Sequence, residues 1–369
     1  MKKKTILIYK KSNLLNSAGG IEKILSWLAN SLHQQGYRVY VLTRDKRQGT
    51  LFYPLDKGIV FKHIQLKFSR LRRIIGQITH NLIPYFNREL YVSRLIRRYC
   101  DQIRPEVILT MGIQDLADIV YHDPYPCQKI VQLHSAPCVF FTKKKTKLFV
   151  KTLKSADIVQ VLMPSFKKML RPFYAGKIVV IGNPVAKNTF PRTPQNIIIY
   201  PARIERNKRQ DVLIEAFQKI ASQFPDWQVH LWGGVSDFQY NEFCQNLIHK
   251  FHLENQVKLM GVSKQMAQKL SQAAVCAFPS NHEGFSLSLT EAMAASLPCV
   301  GFQDAPSVNE MIHHNENGFL VSNVLEFSKA LETLMKNPKL RQSMGKRGLL
   351  FVQNYTPKKV LKETEQLFQ

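Results

Sequence analysis

Twice along its length this chain runs through the same succession of short apolar segments and amphipathic helical segments, and that restart is what most constrains its fold. The first pass opens with an apolar strand at 5–9, a loop at 13–20 and a helical stretch at 21–35, in which Ile21, Ile24, Leu25, Leu28 and Leu32 share one face. Gly36 is a natural stop. A strand at 38–43 alternates through Val39 and Val41, and further strands are expected at 107–110, 129–133, 157–162 and 177–181. The second pass begins with a strand at 196–200. It continues with a helix at 212–222, a strand at 228–232 that ends at Gly233-Gly234, a helix at 239–251, a strand at 257–260 and a helix at 266–273. A strand at 275–278, a small-residue helix at 286–295, a strand from 299 and helices at 325–335 and 338–352 complete it. Between the passes, Pro184, Pro191 and Pro194 fall within twelve residues and mark a linker. Strand–helix alternation with short connections predicts parallel sheets covered by helices. The expectation is α/β: two doubly wound domains, 1–184 and 185–352, with a C-terminal helix at 353–369 packing back on the first.

Composition excludes several alternatives. A chain of 369 residues exceeds one compact core, and 45% apolar with 21% charged residues is globular. No run approaches the ~20 apolar residues that span a bilayer. The basic start Lys2-Lys3-Lys4 is followed by only five apolar residues before Lys10, shorter than the ~7–15 of a signal sequence. It reads as a first strand, and a cytoplasmic location is expected. Cys100, Cys127, Cys138, Cys244, Cys276 and Cys299 form no C-x-x-C pair, so neither a zinc site nor a disulfide framework is expected.

The net charge of +26 is lopsided. Residues 1–185 hold 32 Lys and Arg against 10 Asp and Glu, whereas 186–369 hold 20 against 16. A field of this sign attracts nucleic acid, acidic lipid head groups or phosphorylated substrates, and composition alone does not choose among them.

One segment carries a chemical pattern: Pro279-Ser280-Asn281-His282-Glu283-Gly284-Phe285-Ser286, followed by a helix containing Leu287 and Glu291. A strand ends, a polar loop follows and a helix starts, which in an open parallel sheet is where ligands bind. Free N–H groups of Gly284, Phe285 and Ser286 at the helix start, with the helix dipole, make an anion site. Glu283 and Glu291 on either side would repel a bare phosphate but accept hydrogen bonds from sugar hydroxyls. A nucleotide sugar has that layout. Each glutamate alone is more often a solvated charge; the coincidence of loop, glycine, helix and carboxylates favours the site.

A second element, Tyr200-Pro201-Ala202-Arg203-Ile204-Glu205-Arg206-Asn207-Lys208-Arg209, follows the first strand of the second half. Arg203 and Lys208 are expected at the same sheet edge, where cations stabilise a departing diphosphate. In so basic a chain a solvated turn is an equal alternative. Gly233-Gly234 is a weaker signal, either donor contact or plain turn. Gly19-Gly20-Ile21-Glu22 lacks the full dinucleotide pattern and reads as a tight turn or as a backbone loop facing the donor. His134 follows an apolar strand, where it is either a satisfied structural residue or a group reaching the transferred sugar.

These residues together resemble the retaining glycosyltransferases of family 4, with the GT-B fold. The resemblance covers nearly the whole length and is strongest from Tyr200 to Val321. It includes an E-x7-E pattern from Glu283 to Glu291, Arg203 with Lys208, Gly19-Gly20-Ile21-Glu22, the His134 position, Asn183-Pro184 and Asn317-Gly318-Phe319-Leu320. It implies an N-terminal acceptor domain and a C-terminal nucleotide-sugar domain facing across a cleft. Glu291 would hold the donor ribose, Glu283 would face the transferred sugar, and Arg203 and Lys208 would neutralise the diphosphate. Gly284, Phe285, Ser286 and Leu287, with Gly233, Gly19 and Gly20, would complete the donor site. Glu283, Arg203, Lys208 and His134 are the catalytic candidates. The family often works without metal, and the chain has no Asp-x-Asp, so no cofactor and no metal are expected. Arg209 stands where many relatives have glycine.

The resemblance implies transfer, with retention, of a hexosyl or N-acetylhexosaminyl unit from a UDP-linked donor. The acceptor would be a glycan or a lipid-linked molecule in surface polysaccharide, lipopolysaccharide or glycoprotein glycan synthesis. The basic segment 66–104 and the run 143–147 interleave cations with apolar residues, and peripheral docking on an anionic inner membrane face is the expectation. A solvated basic face is the plain alternative. Competing functions are a nucleotide-sugar epimerase, a phosphorylase, or a non-catalytic nucleic-acid- or membrane-binding protein. The near-balanced second half and the lack of any nucleic-acid motif argue against nucleic acid.

Overall fold

The computed structural model describes residues 3–12, 14–17, 19–45, 49–64, 88–140 and 143–369. The chain divides into two units: Met1–Gly182 with Leu361–Gln369, and Asn183–Val360. The stretch 353–360 therefore stays with unit 2, and the chain re-enters unit 1 only at Leu361.

Unit 1 is built on strands β1 (Thr5–Lys10), β2 (Arg38–Thr43), β3 (Val60–His63), β4 (Val107–Thr110), β5 (Gln128–Leu133), β6 (Ile158–Val161) and β7 (Lys177–Val180), in the order β3-β2-β1-β4-β5-β6-β7. Every pairing is parallel. Sheets of this kind are covered on both faces, so their central strands are continuously apolar. Ile6, Leu7, Ile8 and Tyr9 are fully buried, as are Val107, Ile108 and Leu109. Helix α1 (Gly20–Gln34) lays Ile24, Leu25, Leu28, Ala29 and Leu32 inward and stops before Gly36, whose φ of +88° suits glycine. Helix α2 (Arg88–Ile103) buries Val92, Ile96, Tyr99 and Cys100 in a core with Leu7, Tyr9, Leu42 and Ile108 of the sheet. Helices α3 (Ile113–Val120), α4 (Lys143–Leu153) and α5 (Pro164–Leu170) follow β4, the β5 connection and β6. At the C-terminus, Leu367 and Phe368 are buried in this unit. Gln128 donates to the Leu367 carbonyl at 3.0 Å, Lys4 donates to that of Phe368, and the Phe368 ring meets Tyr37 edge-on at 5.6 Å.

Unit 2 repeats the plan with β8 (Ile197–Pro201), β9 (Gln228–Trp232), β10 (Val257–Gly261), β11 (Val275–Phe278), β12 (Cys299–Phe302) and β13 (Gly318–Val321), ordered β10-β9-β8-β11-β12-β13 and wholly parallel. Its helices are α6 (Gln210–Gln218), α7 (Phe238–Lys250), α8 (Met266–Gln272), α9 (Leu287–Ala294), α10 (Val308–Met311), α11 (Val324–Lys336), α12 (Pro338–Val352) and α13 (Pro357–Glu365), the last crossing into unit 1. Gly345 of α12 sits so close to Ser296 that an added Cβ would come within 2.1 Å of its carbonyl oxygen, which lets α12 lie directly on the end of α9.

The two doubly wound sheets are those expected. Boundaries differ where caps decide them. The helix expected at 212–222 ends at Gln218 and passes into a tight turn at Ala221–Gln223. Ser286 stays outside α9 as its cap.

Strand order reverses between β1 and β4 in unit 1, and between β8 and β11 in unit 2. The crevice outside the carboxyl ends at such a reversal is where doubly wound sheets bind ligands.

Candidate active site

In unit 2 the reversal point is framed by the loops after β8 and β11, the two segments that the sequence singles out. Tyr200, near the end of β8, is fully buried and ties them together. Its hydroxyl donates to the Lys208 carbonyl at 2.8 Å and shares a 2.7 Å hydrogen bond with Ser280 Oγ. Its ring packs edge-on against Phe278 at 5.3 Å. Burial, and then the Glu283 charge, push the phenol well above its ordinary value, so it stays a neutral strut. Asn207 adds two more ties: it donates from Nδ2 to the His282 carbonyl at 3.1 Å, and its own carbonyl accepts from Asn281 N–H at 2.9 Å.

These ties bring Lys208 and Glu283 into an ion pair, Nζ to Oε1 2.7 Å, with side chains only 14% and 12% exposed. At so low an exposure the pair is desolvated and its geometry is held. Glu283 N–H is oriented by the Pro306 carbonyl at 3.3 Å. Beyond Glu283 the backbone runs into α9, where Ser286 Oγ accepts from Leu289 N–H at 3.3 Å, a side-chain N-cap. The N–H groups of Gly284, Phe285, Ser286 and Leu287 meet no acceptor among the described residues. They form the positive end of the helix dipole beside the Lys208 ammonium. Phe285 is anchored edge-on to Tyr355 at 5.1 Å. Helix α9 buries Leu289, Thr290, Ala292, Met293 and Ala294. Leu287, Ser288 and Glu291 are left half-exposed on one stripe, the one that starts at the Gly284–Ser286 turn.

Arg203 follows shortly after β8, at the sheet edge where the sequence expects it. Its guanidinium pairs with Glu205 at 3.2 Å and its side chain is 64% exposed, so Lys208 alone makes the ion pair with Glu283. Gly233 is required by its backbone: φ is +149°, and a Cβ there would lie 2.1 Å from the Ala202 carbonyl oxygen. Glycine thus lets the end of β9 pass against the start of the Arg203 loop, where Ala202 N–H donates to the Trp232 carbonyl at 2.8 Å. Arg209 occupies the left-handed region at φ +53°, a conformation that costs a non-glycine residue about 1–2 kcal/mol. Its guanidinium lies over the Phe302 ring at 4.6 Å, an attraction of about 0.5–2 kcal/mol that offsets the strain.

Sequence reasoning missed the struts Tyr200, Ser280 and Asn207. It also missed three buried polar atoms near these loops with no partner among the described residues: Asn207 Oδ1, Gln210 Oε1 and Ser307 Oγ. The unusual run of polar residues right after an apolar strand was the available signal.

In unit 1, Gly19 caps α1 with extended backbone, and Gly20 is its first, exposed residue. His134 follows β5 at the carboxyl edge of the sheet. Its Nε2 is buried with no partner among the described residues, and burial together with Lys10 pulls the imidazole down to about 4. It is therefore neutral at ordinary pH. The reversal point of this sheet holds a polar cluster that the sequence did not announce. Asp118 accepts from Tyr9 Oη at 2.7 Å and from Arg44 at 2.5 and 3.0 Å, and Asp115 accepts from Lys11 N–H at 2.9 Å.

The basic segment expected to meet a membrane lies largely outside the described residues, which resume at Arg88. Within α2 the apolar stripe is spent on the core of unit 1, leaving Arg94 and Arg98 exposed, while Arg97 pairs with Asp101 and Asp123. Of the run 143–147, the exposed Lys147 is described and the side chains at 143–145 are not. No described helix is long and apolar enough to cross a membrane.

Residues 185–350 match the family model for glycosyl transferases group 1. An uncharacterized glycosyltransferase of Haemophilus influenzae is 24% identical, the alignment covering 95% of this chain and 96% of that one. An amylovoran biosynthesis glycosyltransferase of Erwinia amylovora is 23% identical, covering 95% of each. Among solved structures, Anabaena HepE in complex with UDP and glucose superposes with a TM-score of 0.77 at 18% identity, over 99% of both chains. The fold is thus that of the GT-B glycosyltransferases, two Rossmann-like parallel-sheet domains, and residues 185–350, within the second unit, are similar to group 1 glycosyl transferases.

Proposed function

We propose that the protein is a retaining glycosyltransferase that moves a hexosyl or N-acetylhexosaminyl unit from a UDP-linked sugar to a glycan or lipid-linked acceptor during surface polysaccharide synthesis. The observation that carries this reading is the meeting, at the strand-order reversal of unit 2, of the Lys208–Glu283 pair with the unpaired N–H groups that open α9. The relatives' names support the polysaccharide context and the HepE complex supports a UDP-bound donor.

The diphosphate lies on the N–H groups of Gly284, Phe285 and Ser286 and against Lys208, and the ribose hydroxyls donate to Glu291. As the bond from the anomeric carbon to the diphosphate oxygen breaks, negative charge grows on that oxygen, and the ammonium and the fixed amides stabilise it more than they stabilise the ground state. The acceptor hydroxyl attacks from the same face and its oxygen bonds the anomeric carbon. Its proton passes to the leaving phosphate oxygen, so configuration is retained and no enzyme nucleophile is consumed. Positive charge comes from the chain itself, and the reading invokes no metal. The basic surface of unit 1 attracts an anionic membrane or acceptor.

A thermal-shift panel of nucleotide sugars tests this reading. One donor and UDP should raise the melting temperature, and the proton NMR spectrum of the product should show the donor's anomeric configuration. No shift with any nucleotide sugar or nucleoside diphosphate, or an inverted product, would overturn it.

A further inference from the structure

The amino-terminal edge of the unit 2 sheet, opposite the strand ends that carry Lys208 and Glu283, holds an open cavity of about 510 Å³. Its position follows from its walls. Arg192 and Pro194 precede β8, and Ser296 lies between α9 and β12. Lys339, Arg341 and Lys346 come from α12. No carboxylate lines it among the described residues. In a half of the chain with 20 basic and 16 acidic residues, four cations around one cavity are not the background of a uniformly basic surface.

The two arginines are fixed. Arg192 Nη1 donates to the carbonyls of Leu270, Ser271 and Ala273 at 3.0, 3.1 and 2.8 Å, tying it to the end of α8 just ahead of β11. Arg341 Nη1 donates to the carbonyls of Leu334 and Met335, the latter at 2.9 Å, and its guanidinium lies over the Trp227 ring at 5.3 Å. Both are held below the usual arginine value by burial, and Arg192 further by Arg341 itself, so two like charges stand close with no ion-pair partner among the described residues. Lys339 and Lys346 are exposed, two helical turns apart on α12, and neither makes an ion pair among the described residues.

We infer that this cavity is a second anion site, separate from the donor site, that takes a compact diphosphate group either free in solution or borne on a lipid. A diphosphate group concentrates several negative charges on closely spaced oxygens, which four cations around one cavity can neutralise. The planar guanidiniums suit phosphate oxygens, and the ammonium groups can close over them from the rim.

The test uses the full-length chain with Lys208→Ala, which weakens the donor site, and titrates inorganic pyrophosphate by calorimetry at low salt. Binding should persist in that background and fall at least tenfold when Lys339→Met and Lys346→Met are added. The Lys339→Met/Lys346→Met protein with native Lys208 should keep its melting temperature and its glycosyl transfer. Flotation with phosphatidylcholine vesicles, with and without diacylglycerol diphosphate, separates the sources. Capture that depends on that lipid and on Lys339 and Lys346 marks a lipid-borne group, whereas pyrophosphate binding without capture marks a free one. Loss of all pyrophosphate binding with Lys208→Ala alone, or equal affinity with and without the two lysines, would overturn the proposal, whatever the fate of the donor reading.

Discussion

Replacing Lys208 by methionine separates its two roles, as partner of Glu283 and as cation for the donor. The two side chains are 14% and 12% exposed and 2.7 Å apart. Breaking a buried pair by deleting one partner costs about 3–5 kcal/mol, because the remaining charge is stranded. The residual exposure discounts this to roughly 2–4 kcal/mol. For a domain the size of unit 2, at ~2–4 °C per kcal/mol, that is a fall in melting temperature of about 5–12 °C. Adding Glu283→Gln removes the stranded charge, so the double variant should regain at least half of the loss, about 1–2 kcal/mol. Binding of UDP follows a different pattern: without the ammonium it should weaken at least tenfold, about 1.4 kcal/mol, in both the single and the double variant. Urea denaturation gives the first quantity and calorimetry with UDP the second. If Lys208→Met left both stability and UDP affinity within twofold of wild type, the pair would be neither buried structure nor donor contact, and the reasoning would fail.

Two opposed titrations are built into unit 1. His134, pulled down to about 4, binds fewer protons folded than unfolded, so its contribution is complete above ~6.5 and is lost as pH falls toward 4. Asp115, pushed up to about 6 by burial, binds more protons folded, so its contribution is complete below ~4 and is lost as pH rises toward 6. Relative to wild type, Asp115→Asn should make stability rise more steeply from pH 4 to 6.5, and His134→Gln should make it fall. Identical urea midpoint profiles for all three proteins would refute this pairing. Gly233→Ala forces a Cβ against the Ala202 carbonyl at φ +149° and should cost more than about 2 kcal/mol, with donor affinity lost as the Arg203 loop shifts; a thermal melt and UDP titration check it. Ser286→Ala removes the cap of α9 and should cost about 1 kcal/mol in urea unfolding, with a weaker UDP signal.

The doubly wound architecture was legible because strands buried on both faces leave uninterrupted runs such as Ile6-Leu7-Ile8-Tyr9, and because helices such as α1 keep one apolar stripe. Where the pattern failed, a physical reason is visible. Helix α3 buries Asp115 and Asp118, so its periodicity is broken by the carboxylates that serve the polar cluster. Strand β3 is an edge strand whose residues are half-exposed throughout or outward-facing, and its four residues show no apolar run. In the site, Glu283, Lys208 and the Gly284–Ser286 turn could be picked out because their residue types are unusual after an apolar strand. Tyr200 could not, since a tyrosine in an apolar strand looks like core until its hydroxyl is seen bridging Lys208 and Ser280. Arg203 and Lys208 read alike in sequence, and only the Glu205 and Glu283 partners distinguish an exposed cation from a desolvated one.

The most direct measurement is a crystal structure of the protein with UDP. The account predicts diphosphate oxygens within about 3 Å of the N–H groups of Gly284, Phe285 and Ser286 and of Lys208 Nζ, with the ribose hydroxyls on Glu291. Diphosphate held away from that turn, with Lys208 still closed on Glu283 and no ligand contact to Glu291, would contradict it.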